Sequence, residues 1–163
     1  MDAEIDKCAA ETLRTLDDPG LLLVTCGKNG KPNVMTIGWG FIGILWRMPV
    51  FVVAVRHSRF THEVLEENGE FTVNVPTKDM EKTVQHCGEV SRRQHDKVSE
   101  CKLSPIEGRK VKVPVLAECK IHYECRVVHK LDVNPDLIPD EWKSLYTNRN
   151  YHTLYFGQIL ETY

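Results

Sequence analysis

Several features that would point to a common function class are missing from this chain. It has no CxxC pair (two cysteines with two residues between them), no GxxxxGK[ST] phosphate loop and no apolar run long enough to span a bilayer. Those features mark paired-cysteine metal or redox sites, P-loop nucleotide sites and membrane helices, so none of these classes is predicted. We likewise expect no dinucleotide-binding fold of the glycine-rich type. The N-terminus, MDAEIDKCAAETLRTL, is charged and lacks the apolar core of a signal peptide, so we expect a soluble, cytoplasmic protein.

The charge balance and the cysteines give no specific signal. There are 21 basic and 23 acidic residues, and the formal net charge of −2 lacks the basic excess of a nucleic-acid surface. The six cysteines, at positions 8, 26, 87, 101, 119 and 125, are interpreted as reduced, mostly packed thiols. A metal site that includes His86 and Cys87 is a weaker alternative, because paired ligand spacing is lacking. The length of 163 residues predicts one domain, 1–163.

Hydrophobic periodicity predicts a chain made mainly of strands, with short helices between them. Strands are expected at 21–26, 32–41, 50–55, 71–75, 115–131 and 152–161, and helices at 4–16, 58–69 and 78–87. The spacing favours six or seven mostly antiparallel strands in a small barrel with helices packed outside. Segments 89–110 and 134–149 are expected to be irregular.

Local signals add detail to this prediction. Asn29-Gly30 predicts a tight hairpin turn with positive φ at both positions. Ser58 is the expected N-cap of the second helix, and Gly88 is expected to close the third. Strand 115–131 alternates apolar and polar residues, which indicates one buried face and one polar face.

The predicted strand PNVMTIGWGF, residues 32–41, has an unusual composition for a strand that only packs. It carries Asn33, Thr36, Gly38 and Gly40, with Trp39 between the two glycines. Glycine weakens a strand interior and often marks a place where a ligand or another backbone approaches closely. A flat heteroaromatic ring lying against this strand would account for the composition, with Trp39 offering an aromatic face. The alternatives are that Trp39 is a core or dimer-interface residue and that Asn33 satisfies backbone groups of the barrel.

The segment VRHSRFT, residues 55–61, has the composition of an anion site. Arg56, Ser58, Arg59 and Thr61 crowd the start of a predicted helix, directly after a buried strand. Backbone N–H groups at a helix N-terminus favour an anion, and guanidinium and hydroxyl groups add directed donors. Together they fit a phosphate monoester. The alternative is an ordinary capped helix whose arginines pair with its own glutamates.

Several segments together resemble the flavin reductase-like, FMN-binding split-barrel family, in particular its flavoredoxin and NAD(P)H:flavin oxidoreductase branch. They are PNVMTIGW (32–39), SRFTHEVLEENGEFTVNVP (58–76), HCGEVSRRQHDK (86–97), LSP (103–105) and HTLYFGQI (152–159), and they follow the family order. The resemblance implies a mainly β fold with short helices, a split β-barrel that binds FMN. The chain departs from the family where Ser91-Arg92-Arg93 stands in place of the usual Ser-Gly-Arg.

The resemblance also implies a cofactor site. Residues 33–39 are expected beside the flavin ring, residues 56–61 at the phosphate, and Lys97 and His152 near the ring as groups that tune its reduced state. No side chain is expected to act as a catalytic nucleophile or base. The alternatives for the two tuning residues are a surface lysine paired with Asp96 and a histidine that caps a strand end. The expected cofactor-binding residues are Asn33, Met35, Thr36, Ile37, Gly38, Trp39, Arg56, Ser58, Arg59, Thr61, Lys97 and His152.

The function that the resemblance implies is electron transfer from NADH or NADPH through FMN to free flavin, ferric complexes or a redox protein. Such proteins resemble homodimers, and the apolar run Phe41, Ile42, Ile44, Leu45 and Trp46 is compatible with a subunit interface. One alternative is a flavoredoxin-type carrier that holds FMN tightly and does not use NAD(P)H. A less favoured alternative is a non-redox or haem-binding split barrel, for which the seven histidines offer no clear axial ligand.

Overall fold

The computed structural model describes residues 3–163, so the first two residues of the charged N-terminal segment lie outside the described part. Helices α1–α4 are Ala3–Asp17, Phe60–Glu67, Glu81–Glu89 and Lys97–Glu100. Strands β1–β9 are Leu21–Cys26, Pro32–Ile37, Gly40–Leu45, Met48–Arg56, Glu70–Val75, Pro105–Ile106, Val115–Leu116, Ile121–Asp132 and His152–Thr162. Short 3₁₀ turns precede α3 and occupy most of the stretch between β8 and β9.

Seven of the strands form one antiparallel sheet in the order β2-β1-β5-β8-β9-β4-β3. The first and last strands of this order, β2 and β3, are consecutive in the chain. The sheet therefore curls back on itself, and the backbone N–H of Ala54 in β4 donates to the Trp39 carbonyl between β2 and β3, at 3.3 Å. The barrel is split at this point because β2 does not pair with β3 or β4. This architecture confirms the prediction of a mainly β split barrel with short helices.

Two apolar clusters hold the sheet. The first fills the barrel and contains Phe51, Phe71 and Tyr123, which are fully buried, with Ile5 and Leu16 of α1 closing one end. The second lies outside the barrel, where α3 and the segment 103–119 cover the outer face of β1 and β2. Burial of both faces explains why β1 reads as a continuous apolar run rather than an alternating one.

The sequence predicted one continuous strand at 32–41, but the structure has two strands there. β2 ends at Ile37 and β3 begins at Gly40, so the two halves lie at opposite edges of the sheet. Gly40 is needed here because a Cβ at this position would overlap the Val52 carbonyl. The six letters GWGFIG, residues 38–43, do have the GxGxxG spacing of a dinucleotide loop. Residues 38 and 39 link β2 to β3, residues 40–43 lie in β3, and the next element is β4 rather than a helix, so the context of that fingerprint is absent.

The sequence correctly predicted the position of the hairpin turn at Asn29-Gly30, but the predicted turn type was wrong. β1 and β2 do form a hairpin, but the loop spans 27–31, and of its residues only Gly30 has positive φ. The two-residue hairpin of the chain instead joins β3 to β4, where Leu45 faces Met48. Its central residues, Trp46 and Arg47, both have positive φ, as this turn class requires.

Three other local predictions need correction. The predicted strand 115–131 consists of β7 and β8, separated by a turn, and β8 from Ile121 to Cys125 is buried on both faces. Its polar face, which points away from the barrel interior, includes Glu124, whose carboxylate accepts three backbone N–H groups from residues 109–111, so a covering loop replaces solvent. Arg59, not Ser58, is the N-cap of α2, without a capping side chain. Helix α3 runs through Gly88 to Glu89.

No helix in the described residues is long and apolar enough to cross a membrane.

Candidate functional site

A cleft of about 150 Å³ opens where the barrel is split. Its floor is the end of β2 with the link to β3, and its walls come from β4, the start of α2 and the start of β9. Residues from three separate stretches of the chain, 35–39, 54–59 and 152, therefore meet at one place. The lining residues are Met35, Thr36, Ile37, Gly38, Trp39, Ala54, Arg56, Arg59 and His152.

The floor of the cleft is an unpaired strand edge. β2 pairs with β1 on one side, and no other strand of residues 3–163 pairs with its other side. Successive residues of a strand direct their backbone hydrogen-bonding groups alternately to its two sides. Part of the N–H and C=O groups of residues 35–38 is consequently available to a ligand. Such an edge recognises a flat polar ring by its pattern of donors and acceptors rather than by side-chain charge.

One wall of the cleft is a cluster of three rings. The Trp39 ring lies against the His152 imidazole with centroids 4.8 Å apart, and Tyr146 meets both rings edge-on. The Tyr146 hydroxyl lies 3.2 Å from Nδ1 of His152. Trp39 is 41% exposed, so it is not a core residue of the chain. Its indole is available to a ligand or to another chain.

Burial changes the protonation of His152. The residue is only 6% exposed, and burial together with the nearby Arg56 lowers the pKa of its imidazole to about 4. The ring is therefore neutral at pH 7. It can donate or accept a hydrogen bond in the cleft, but it supplies no positive charge there.

The two arginines of segment 55–61, which we call the anion corner, have different partners. The Arg56 guanidinium donates to the carbonyls of Asn150 and Leu145, at 3.1 and 2.9 Å, and lies over the Trp39 and Tyr146 rings. The Arg59 guanidinium lines the cleft and, within residues 3–163, has no ion pair and no hydrogen bond. Burial and the repulsion of Arg56 lower its pKa. Arg59 is thus a partly buried cation, beside a second cation, that lacks an anion.

The start of α2 is held by contacts that the sequence did not indicate. Asn150 receives the backbone N–H of Ser58 at 3.2 Å and donates to the Ser58 hydroxyl at 2.8 Å. Arg93 donates to the Ser58 carbonyl and forms an ion pair with Glu63. These contacts fix the loop from which the Arg59 side chain enters the cleft. Within residues 3–163, neither Arg56 nor Arg59 pairs with a glutamate of α2, and the guanidinium that pairs with Glu63 comes from Arg93, outside segment 55–61.

Asn33 and Thr61 lie one layer below the cleft. Nδ2 of Asn33 donates to the hydroxyls of Thr61 and Thr25, at 2.8 and 3.0 Å, and all three side chains are buried. Oδ1 of Asn33 is buried and has no hydrogen-bond partner in the described part of the chain. The pair therefore joins β2 to α2, which holds the strand edge and the anion corner at a fixed separation.

Lys97 lies outside the cleft. It is 3% exposed, and its ammonium donates to the carbonyls of Cys87 and Val90, at 3.2 and 3.3 Å. Burial lowers its pKa to about 8. The alternative of a surface lysine paired with Asp96 is wrong, because the side chain is buried and ties α4 to the end of α3.

The sequence model of the flavin reductase like domain matches residues 19–163. The chain belongs to the flavin reductase-like family. Among curated relatives, an uncharacterized protein of Archaeoglobus fulgidus is 36% identical over 130 residues, which is 80% of this chain and 64% of the relative. This chain therefore spans less than two thirds of that relative's length.

Several solved structures have the same fold as this chain. Flavoredoxin from Methanosarcina acetivorans is 32% identical, with a TM-score of 0.71 over 89% of this chain and 67% of that chain. Flavoredoxin of Desulfovibrio vulgaris is 22% identical, with a TM-score of 0.72 over 89% and 68%. Nitrilotriacetate monooxygenase component B from Bacillus cereus is 18% identical, with a TM-score of 0.73 over 99% and 77%. The last two similarities show the fold alone.

Within this flavin reductase-like chain, eight of the twelve residues expected at the cofactor line the cleft. They are Met35, Thr36, Ile37, Gly38, Trp39, Arg56, Arg59 and His152. Thr36 contributes backbone, because its hydroxyl donates to the Val84 carbonyl of α3. The residues that do not line the cleft are Asn33, Ser58, Thr61 and Lys97. Sequence reasoning missed Tyr146 and Asn150, which belong to an irregular segment, and Ala54, a small residue inside the branched run of β4.

We expect the His152 imidazole in the ligand-free protein to protonate near pH 4 rather than near its ordinary value. Because protonation is favoured in the unfolded chain and disfavoured in the fold, this group makes the protein less stable as the pH falls from about 6.5 to about 4. An NMR titration of the imidazole signals measures this, with His152→Asn to assign them. A His152 signal that titrates between pH 6 and 7 would contradict the buried geometry.

Proposed function

We propose that this protein is an FMN-binding oxidoreductase that passes electrons from NADH or NADPH through FMN to free flavin, a ferric complex or a redox protein. The proposal depends on one observation: two features of the same cleft both lack a binding partner within residues 3–163. A partly buried guanidinium without an anion, Arg59, faces the same space as the unpaired edge of β2. A phosphorylated planar ring supplies an anion for the first and hydrogen-bonding groups for the second.

The donor set fits FMN better than it fits a metal or a haem. The cleft contains backbone amides, aromatic rings and two guanidiniums, and its lining includes no carboxylate or thiolate. Its one imidazole, His152, is already engaged by Tyr146 and packed on Trp39. The similarity to the Methanosarcina acetivorans flavoredoxin, at 32% identity, also supports a flavin as the ligand.

Bound FMN would supply the hydride and electron chemistry, and the residues of the chain bind, orient and shield it. Arg59 would hold the phosphate, and Arg56 would add positive potential while keeping the 145–150 segment in place. The backbone of residues 35–38 would orient the ring. His152 would act as a neutral hydrogen-bonding group near the ring, since its lowered pKa leaves it uncharged. Lys97 would act at a distance, by fixing the segment that contacts the Ser58 loop.

We also propose that the working unit is a homodimer. The cleft holds about 150 Å³, which is less than the roughly 300–1,000 Å³ usual for small-molecule sites. Strand β3 begins directly beside the cleft and is an edge of the sheet, with Phe41, Ile44 and Trp46 exposed by 47%, 57% and 64%. A second chain that covers β3 would bury these side chains and add a wall to the cleft.

A flavoredoxin-type electron carrier is the second candidate. The similarity to the Methanosarcina acetivorans flavoredoxin, at 32% identity, favours it. The two candidates share the FMN site and differ in whether a nicotinamide reaches the ring, so they are separated by electron donor and not by cofactor.

We expect Arg59→Ala to weaken FMN binding by about 10- to 100-fold, because a charge-assisted hydrogen bond contributes about 1.5–3 kcal/mol and each 1.4 kcal/mol is tenfold. Fluorescence titration of apoprotein with FMN measures the change. Arg126→Ala is the control, since Arg126 pairs with Glu70 on the surface and does not line the cleft. Equal affinity of the wild type and the Arg59 variant would remove the phosphate assignment.

We expect the FMN-loaded protein, mixed anaerobically with NADH or NADPH, to lose its visible flavin absorbance within the turnover time of a typical enzyme, about 1 s or less. The measurement is stopped-flow absorbance, with dithionite as the reference for complete reduction. A flavin that dithionite bleaches and neither nicotinamide bleaches would reject the reductase and favour the carrier.

We expect the wild-type chain to sediment as a dimer and Ile44→Asp to shift it towards a monomer, because burying a carboxylate without a partner is costly. Ile106→Asp is the matched control, since Ile106 is an exposed isoleucine on β6, which is not part of the seven-stranded sheet. Sedimentation velocity at several concentrations measures the distribution. A wild-type monomer at all concentrations, or a dimer unaffected by Ile44→Asp, would contradict an interface at β3.

A further inference from the structure

A cluster of metal-ligating side chains lies outside the cleft, on the segment that contains Lys97. His86 is in the last turn of α3, His95 ends the following loop, and Glu100 is in α4. Nε2 of His86 lies 2.7 Å from Oε2 of Glu100, and Nδ1 of His95 lies 3.1 Å from Oε1 of the same carboxylate. One ligand atom from each of the three residues lies within 4.8 Å of the other two.

The backbone that presents these three side chains is fixed independently of them. The N–H groups of Val90, His95 and Glu100 donate to the carbonyls of His86, Ser91 and Asp96, respectively. The buried Lys97 ammonium holds the carbonyls of Cys87 and Val90. The ligand positions are therefore organised before any ion binds, which reduces the entropy that binding must overcome.

The local charge favours a cation between the three groups. Within residues 3–163, Glu100 has no lysine or arginine partner, and its carboxylate is contacted by the imidazoles of His86 and His95. Each imidazole can reach the carboxylate only by donating an N–H group. A divalent ion would instead accept a lone pair from both imidazoles and from the carboxylate at once. The side chains of His86, His95 and Glu100 are 36%, 40% and 38% exposed, so water can fill the remaining coordination positions.

We propose that His86, His95 and Glu100 form a binding site for Zn²⁺. Two imidazole nitrogens and one carboxylate oxygen are a donor set that suits zinc, at distances of about 2.0–2.2 Å. The sulfur atoms of Cys87 and Cys101, adjacent in sequence to His86 and Glu100, are not part of the set. The sequence suggested a His86-Cys87 pair, and the structure replaces the cysteine by a histidine and a glutamate from the next turns.

The site would clamp the segment 86–100 against the anion corner. The ligands lie at the two ends and near the middle of this segment, and Arg93 of the same segment holds the Ser58 carbonyl next to Arg59. Zinc would therefore close the loop that supports the start of α2. This consequence does not depend on which ligand or which electron donor the cleft uses.

The test uses the full-length chain without an affinity tag, treated with EDTA and then dialysed into buffer with a non-chelating reductant. ZnCl₂ is titrated in competition with a chromophoric chelator, and CoCl₂ absorbance reports the ligand types. We expect one ion per chain. His86→Gln and Glu100→Gln should each weaken Zn²⁺ binding by about tenfold or more, since loss of an outer partner alone costs roughly 10- to 100-fold. His57→Gln, which alters another exposed histidine with a carboxylate partner, should leave the affinity unchanged.

The Co²⁺ spectrum separates this site from adventitious binding by the six cysteines. Visible bands without a thiolate-to-cobalt charge-transfer band support a nitrogen and oxygen donor set. A charge-transfer band, equal affinity in His86→Gln, or no stoichiometric binding by the wild type would each overturn the proposal. Zinc should also raise the Tm of the wild type and of His57→Gln, and not that of Glu100→Gln. An equal rise in all three proteins counts against the site.

Discussion

The unpaired edge of β2 is the constraint on which the site depends. A seven-stranded sheet that curls but does not close must leave backbone groups of its edge strands without strand partners, and unpaired backbone groups are costly when they are buried. Here the chain keeps one such edge partly open, lines it with a link that contains Gly38, and places two guanidiniums beside it. Asn33 and Thr61, below the surface, set the distance between the edge and the guanidiniums. Because the barrel does not close at β2, the same strand edge that splits the barrel is available to bind a polar ring.

The parts of the fold that the sequence predicted are those determined by local periodicity. The stretches 21–26 and 50–55 are short apolar runs, 71–75 alternates apolar and polar residues, and the structure has a strand at each of them. The prediction of one continuous strand at 32–41 was wrong, because the whole sheet determines that its two halves lie at opposite edges. The same holds for Glu124 on β8, which has the place of a solvent-facing residue in the alternating pattern and is covered by the backbone of residues 109–111. Periodicity shows that a face is polar but not what covers it.

The turn chemistry shows a similar limit. Asn29-Gly30 has the composition of a two-residue hairpin turn, yet the loop there spans residues 27–31, of which only Gly30 has positive φ. Trp46 and Arg47 have no such composition and adopt the left-handed conformation at both positions, at a cost of roughly 1–2 kcal/mol each. The register between β3 and β4 determines this turn, and the pairing and packing of those strands offset the local cost. In the cleft, the backbone and charged residues were predictable because they are close together in sequence. Tyr146 and Asn150 were not, since only the fold brings them to Arg56 and Ser58.

The attachment of the 134–150 segment has a consequence for how such proteins can diversify. Arg56 holds this segment through the backbone carbonyls of Leu145 and Asn150, which are present whatever side chain stands at either position. Mutations along the segment can therefore change the ring, charge or size that it presents at the mouth of the cleft while the anchor persists. The barrel strands have no comparable freedom, because their side chains fill a packed interior. Variation in substrate or partner is accordingly expected to accumulate in this segment first, with the barrel and the anion corner left unaltered.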